Sequence, residues 1–568
     1  EGKVYGEVGV KTPPDMEVYT DGKKPQVCID LPVYVFAEAG YSVKVFGYDM
    51  ASGKKPIYDA SNSPVKLCYH IEDGNCVPAC TRPDSSSRVG KRGYYTSPSL
   101  QSGVGNTYGS QAFVAPYVEK KVFEYTLDDD GNATITKYDG NVRALTIPDT
   151  LDGYTVVGIG KNAFAKNTYL QSVVIPDTVT VIQESAFAEC TNLSSVVLSE
   201  NLVELGRAAF SEIALTAIEI PKSLETAHVL FDNGRDCSDG PFENCEKLKI
   251  VTFEKGTTHI AKFLFAGCTG LETISVPNTV TTIERYAFRK CVNLKRVELA
   301  DTIISIATGA FADCTVLSDI NMPKSLKDIG EIAFRNTAIT SAEIPKSLET
   351  AHVLFDNGRD CSDGPFENCE KLKIVTFEKG TTHIAQFLFA GCTGIESIQI
   401  PQTVVMIKQG GFKNCVNLQN IIMPDVIQQV DNYAFKDCTK LDKIHIPDNI
   451  KKISKELFQD CTALKEIVLS DNITSIEDEA FENCTSLTKV TVGNKVSSIG
   501  RDVFSGCTAL PQITLPASVQ TIGDKAFSHC EALADVKLSE GLTSIGSYAF
   551  EYNIALPKVT LPNTLESL

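Results

Sequence analysis

One residue type sets the frame for the whole chain. Seventeen phenylalanines stand in phase: Phe164, Phe187, Phe210, Phe242, Phe265, Phe288, Phe311, Phe334, Phe366, Phe389, Phe412, Phe435, Phe458, Phe481, Phe504, Phe527 and Phe550. Fourteen of their intervals are 23 residues and two are 32. A fixed period of this length is the signature of a stacked-repeat architecture, in which no unit can bury its apolar side alone. At 568 residues the chain is also too long for one compact core, so an array or several domains are required.

Each unit reads roughly L-x-x-V-x-I-P-x-x-V-x-x-I-x-x-x-A-F-x-x-C-x-x, as in Leu271 to Asn293. The alternating L-x-x-V-x-I part predicts a strand with one buried face. Proline follows directly; it has no N–H to give to a ladder and closes the strand. The V-x-x-I part predicts a second short extended piece or a tight turn. A-F-x-x-C leaves room for a single helical turn at most. Parallel strands about 4.8 Å apart would give seventeen units a contour of roughly 80 Å. The fold class expected is a right-handed solenoid of short parallel strands and short helical turns.

The two long intervals have one cause. His228 to Cys245 and His352 to Cys369 are the same eighteen letters, and the identity extends from Glu219–Gly270 to Glu343–Gly394 with one difference, Lys262 against Gln386. The offset of 124 residues equals five 23-residue units plus nine residues, so whole units were copied and an insertion travelled with them. The insertions, near residues 228–242 and 352–366, keep the spine in phase on both sides. They are rich in Asp and Gly, which predicts two matching surface loops. Asp232, Asp236 and Glu243 have the spacing of a calcium loop, but Gly234 and Cys237 stand where a ligand and the sharp-turn glycine are needed. A solvated loop is the better reading. Cys237 and Cys361 are each alone in their loops.

These units resemble the BspA-type leucine-rich repeat family of surface and secreted proteins, over residues from about Val122 to the C-terminus. The resemblance includes a capping hairpin at Phe123 to Gly140, and it implies binding of protein ligands, such as host or matrix proteins, in adhesion or cell contact. The chain ends in mid-unit, which suggests truncation, and its start at Glu1 fits either a removed signal peptide or a trimmed chain.

Thirteen of nineteen cysteines lie three residues after a spine phenylalanine, while Asn167, Ile213, Thr337 and Asn553 fill the same slot elsewhere. A column that accepts Ile, Thr and Asn is a packing position, so buried free thiols are expected. Cys28, Cys68, Cys76 and Cys80 lie outside the repeat, where an exported chain would form at least one disulfide. A zinc site using His70 has a spacing that fits no familiar module. Residues 1–119 read as a small β-rich domain ending in a Ser/Gly/Pro-rich linker, and residues 120–568 as the solenoid.

Hydrophobic content of 43% and charge of 22% are globular values. A net charge of −18 argues against a nucleic-acid backbone as main partner, and no apolar run is long enough to span a membrane. No catalytic or nucleotide-binding motif is found, and no cofactor or metal is expected. The remaining candidate surface is the outward face of the strands. Down the stack its columns include Arg296, Glu298, Asn321, Glu343, Gln399, Ile422, Lys443 and His445. The expectation is a non-enzymatic cell-surface or secreted interaction protein. The alternative is an exported enzyme, or a glycan-binding module, in residues 1–119 with the repeats as a targeting arm.

Overall fold

The computed structural model describes residues 122–224, 226–228, 240–352 and 363–567, and the backbone of six strands before them. The chain divides into two units, Glu1–Val118 and Glu119–Leu568. In the first, Met16–Thr20, Pro25–Asp30, Lys66–Glu72 and Asn75–Pro78 form an antiparallel sheet in that order, and Ser42–Val45 pairs with Tyr48–Ser52. Cys28 stands opposite Cys68 in the register of that sheet. Cys80, Cys237, Cys361 and the bodies of both insertions lie outside the described residues.

The second unit is a β-solenoid of seventeen rungs, one for each spine phenylalanine. Each rung has three sides. The L-x-x-V-x-I segment forms a short strand of a first parallel ladder, for example Thr273–Ser275 beside Arg296–Glu298. The V-x-x-I segment is the second extended piece expected from the sequence, paired in parallel with its neighbours, as in Thr282–Ile283 between His259–Ile260 and Ser305–Ile306. The A-F-x-x-C segment is an arc that returns the chain to the next rung. The hairpin Phe123–Leu127 with Ala133–Tyr138 begins the array, and its Tyr138 ring lies 5.0 Å from Phe164.

The arc corrects the expected helical turn: no helix occurs among the described residues. In the Phe288 rung, Ala287, Arg289 and Cys291 donate three residues back within the arc, to Glu284, Tyr286 and Phe288. The alternate N–H groups of Tyr286, Phe288 and Lys290 point instead to Thr308, Ala310 and Ala312 of the next rung, at 2.8–3.0 Å. A helix would spend all these donors inside one segment. Tyr286 and Lys290 achieve the outward turn with φ of 58° and 59°. Every non-glycine residue of positive φ except Asp152 lies two positions before or after a spine phenylalanine.

The phenylalanines form the buried spine the period required. Those from Phe164 to Phe527 are at most 1% exposed, and successive rings stack 4.6–6.1 Å apart. Phe550 is half-buried. All thirteen ladder cysteines are buried and free. Sγ–H of Cys291 donates to the Phe265 carbonyl of the preceding rung at 3.1 Å, and the same bond recurs down the column, as at Cys415 and Cys530. Where the slot is Thr337, its hydroxyl reaches the carbonyl of Phe334 in its own rung.

Candidate functional site: the outward face of the first ladder

In the three-residue strands of the first ladder, alternation commonly places the central residue in the core and its two neighbours in solvent. The strands Arg296–Glu298, Ser397–Gln399, Asn420–Ile422 and Glu466–Val468 all run exposed, buried, exposed. All eight residues named from the sequence are exposed on this side of the array.

Their surroundings differ. Arg296 reaches Glu298 in its own strand at 2.8 Å and Asp319 of the next rung at 3.5 Å. Asn321 is engaged structurally: Oδ1 accepts from the Leu299 N–H at 3.0 Å and Nδ2 donates to the Leu299 carbonyl at 2.9 Å, standing in for ladder bonds. Glu343 is paired in register with Thr376, and Gln399 with Ile422. Lys443 is bridged through its backbone to Glu466. His445 Nε2 lies 3.4 Å from Asp425. Ile422 is 53% exposed.

Two further features of this face went unnoticed in the sequence. One position before the named columns runs a charge column, in which Glu272 sits between Lys249 at 2.8 Å and Lys295 at 2.9 Å, and Lys373 pairs with Glu396 at 2.5 Å. The hydrogen bonds from its two lysines bring the Glu272 carboxyl down to about 2. The second is apolar: Val174 and Val197 are exposed and adjacent in register, and the duplicated Ile250 and Ile374 are 59% and 61% exposed. Reading the charge column down all seventeen rungs, rather than the two columns nearest the strand centre, would have found the first.

Over the seventeen rungs these three columns hold nine basic and nine acidic side chains, from Arg143 to Lys537. The face is therefore neutral on a chain of net charge −18. Its relief is shallow. A depression of about 310 Å³ beside the ladder is lined by Val490, Thr491, Val492, Asn494, Thr514 and Pro516. Among the described residues, no group of three or more His, Cys, Asp or Glu side chains is placed to hold a metal, and no helix is long and apolar enough to cross a membrane.

Comparison with known proteins matches the architecture. The family description "BspA type Leucine rich repeat region (6 copies)" fits residues 157–233, 235–357, 359–487 and 451–568. Similar solved structures include a leucine-rich repeat protein from Bacteroides ovatus, 23% identical, covering 78% of this chain and 94% of that one with a TM-score of 0.39. A leucine-rich cell surface protein from Faecalibacterium prausnitzii is 24% identical, covering 78% and 98%, with a TM-score of 0.35. The pneumococcal vaccine antigen PcpA is 16% identical, covering 79% and 92%, with a TM-score of 0.28. No curated protein matches. With the repeat model covering the array almost without a gap, the chain belongs to the BspA-type leucine-rich repeat family.

Proposed function

We propose that this chain is a non-enzymatic cell-surface or secreted interaction protein that binds other proteins through the outward face of its first ladder. One observation carries the reading: the face presents two exposed side chains per strand over many rungs, mixed in character and neutral in sum, on an otherwise acidic molecule. A non-obligate protein contact surface has the same mixed polar and apolar character, being about as apolar as the rest of a protein's exterior. A neutral face also lets a protein of either charge approach, whereas the remaining acidic surface repels acidic ones. Many moderate contacts along such a face replace one deep pocket. Membership of the BspA-type family, whose members are often surface or secreted proteins, supports an extracellular setting. Host or matrix proteins are the partners this reading expects, in adhesion or cell contact.

The test is binding of the purified chain to immobilised matrix proteins by biolayer interferometry. Arg296→Glu combined with Ile422→Asp and Lys443→Glu should weaken binding at least ten-fold. Lys290→Glu, on the arc, should leave it unchanged. Binding that survives the triple substitution, or that residues 1–119 reproduce alone, would overturn the reading.

A further inference from the structure

The array is not uniformly bonded. At most junctions between rungs both ladders, or one of them, continue. Beside each insertion the second ladder stops but the first is paired, as in Ala217–Ile220 with Ile250–Phe253. Elsewhere the first ladder stops while the second is paired, as between Thr350–His352 and Asp328–Gly330. Among the described residues, one junction lacks both: that between the Phe435 rung and the Phe458 rung. No insertion lies there.

The missing bonds can be named. On either side of this junction the second ladder is regular: Gln428 and Asp431 donate to Val405 and Ile407 at 2.8 and 2.9 Å, and Thr474 and Glu477 donate to Lys451 and Ile453 at 2.8 and 2.9 Å. Across it, the equivalent N–H groups of Lys451 and Ser454 make no backbone bond to the Phe435 rung. The Val430 carbonyl is taken instead by the buried Ser454 hydroxyl, at 2.6 Å. A depression of about 210 Å³, lined by Gln409, Asp431, Asn432 and Lys452, opens on the same side. On the first-ladder side, Asn420–Ile422 has no partner strand in the next rung, and the contact that remains is His445 with Asp425.

The arc side of the same junction is closed. Tyr433, Phe435 and Asp437 donate to Lys455, Leu457 and Gln459 at 2.8–3.1 Å. The Phe435 and Phe458 rings stack at 5.6 Å. Lys436 and Glu456, both largely buried, form an ion pair across the junction at 2.6 Å, and Cys461 Sγ–H reaches the Phe435 carbonyl. Between the ladders a single side-chain bond crosses, from Asn449 Nδ2 to the Asp425 carbonyl at 2.7 Å.

From this asymmetry we propose a built-in hinge. The rungs through Phe435 and those from Phe458 onward are two stiff blocks that open and close at the ladders while the arc, clamped by Lys436 and Glu456, acts as the pivot. Local opening occurs where backbone pairing is thinnest. The hinge divides the outward face between Ile422 and Lys443, so a protein that spans both blocks selects one opening angle from those the free chain samples.

Hydrogen exchange on the intact chain, read by mass spectrometry, is the first arm of the test. Peptides carrying the Lys451 and Ser454 amides should exchange at least ten-fold faster than those carrying Thr474 and Glu477. Equal protection overturns the proposal. Spin-label distances are the second arm, in a chain with Cys28, Cys68, Cys76, Cys80, Cys237 and Cys361 changed to serine so that only introduced thiols react. Labels at Gln399→Cys and Lys537→Cys cross the junction over six rungs, about 29 Å at about 4.8 Å per rung. Labels at Ser275→Cys and Ile422→Cys span six rungs without crossing it. The crossing pair should give a distance distribution at least twice as wide. Equal widths mean that the missing bonds do not make a hinge.

Discussion

Most ladder thiols, Cys291 and Cys415 among them, donate to the carbonyl of the phenylalanine in the preceding rung and are otherwise packed in the apolar core. Burial favours the uncharged thiol and pushes the pKa up to about 11 at Cys190 and Cys369, to about 12 at Cys268 and Cys530, and well above the ordinary value at Cys415 and Cys461. These sulfurs are consequently poor nucleophiles and poor metal ligands in the folded array. The sign of the pH dependence follows. The unfolded chain releases these protons near about pH 8.5, whereas the folded chain holds them. Above that pH the unfolded state binds fewer protons, so stability is fully present below about 8.5 and is lost as pH rises toward 11 to 12. Urea melts from pH 7 to 11 should show that decline. At neutral pH, a disulfide-exchange reagent should leave all thirteen ladder thiols unmodified until denaturant is added. Reaction in the native state would contradict the burial.

The arc is the element that sequence reading placed least well. The period and the alternation made both ladders and the spine legible, because apolar spacing alone dictates which residues meet. A-F-x-x-C carries no such pattern for backbone handedness, and its five residues suit a helical turn equally well. The signal was in the column two residues after each phenylalanine. Asn244, Asp313, Asn336, Asn368, Asn414, Asp437, Asp460 and Asn483 share it with Gly267, Gly391 and Gly506, the residue types that enter the left-handed region most readily. Lys290 adopts it with φ of 59° while exposed. Lys290→Ile should therefore destabilise the array by about 1–2 kcal/mol, since a β-branched side chain resists this conformation. Lys290→Asn should be neutral or slightly stabilising. Chemical denaturation of the two variants beside the parent chain decides. The duplicated block shows how far an arc adapts to its neighbours: the Phe263 ring packs on Tyr286 at 5.0 Å, while its copy Phe387 lies over Gly410. A Cβ at Gly410 would stand 2.3 Å from that ring.

At the scale of the whole molecule, stability should be a sum over rungs and their junctions. Deleting residues 220–343, one duplication length, leaves Glu219 followed by Ile344 and restores an unbroken repeat sequence with one insertion. The shortened chain should fold, keep its nine remaining ladder thiols buried, and melt cooperatively by circular dichroism. Loss of folding would show that the array is not additive. The candidate face was legible to the same extent as the ladders that carry it: alternation located its exposed columns, including Arg296, Gln399 and Ile422. Its neutrality needed the full set of rungs, and the open junction beside Ile422 depends on hydrogen-bond geometry that no residue pattern records. The claim on which the account rests is that binding occurs on this face. The direct measurement is a hydrogen-exchange footprint of the chain with and without a bound matrix protein. Slowed exchange confined to first-ladder strands such as Arg296–Glu298, Ser397–Gln399 and Asn420–Ile422 is the predicted result; protection confined to the arcs, the second ladder or residues 1–119 would contradict it.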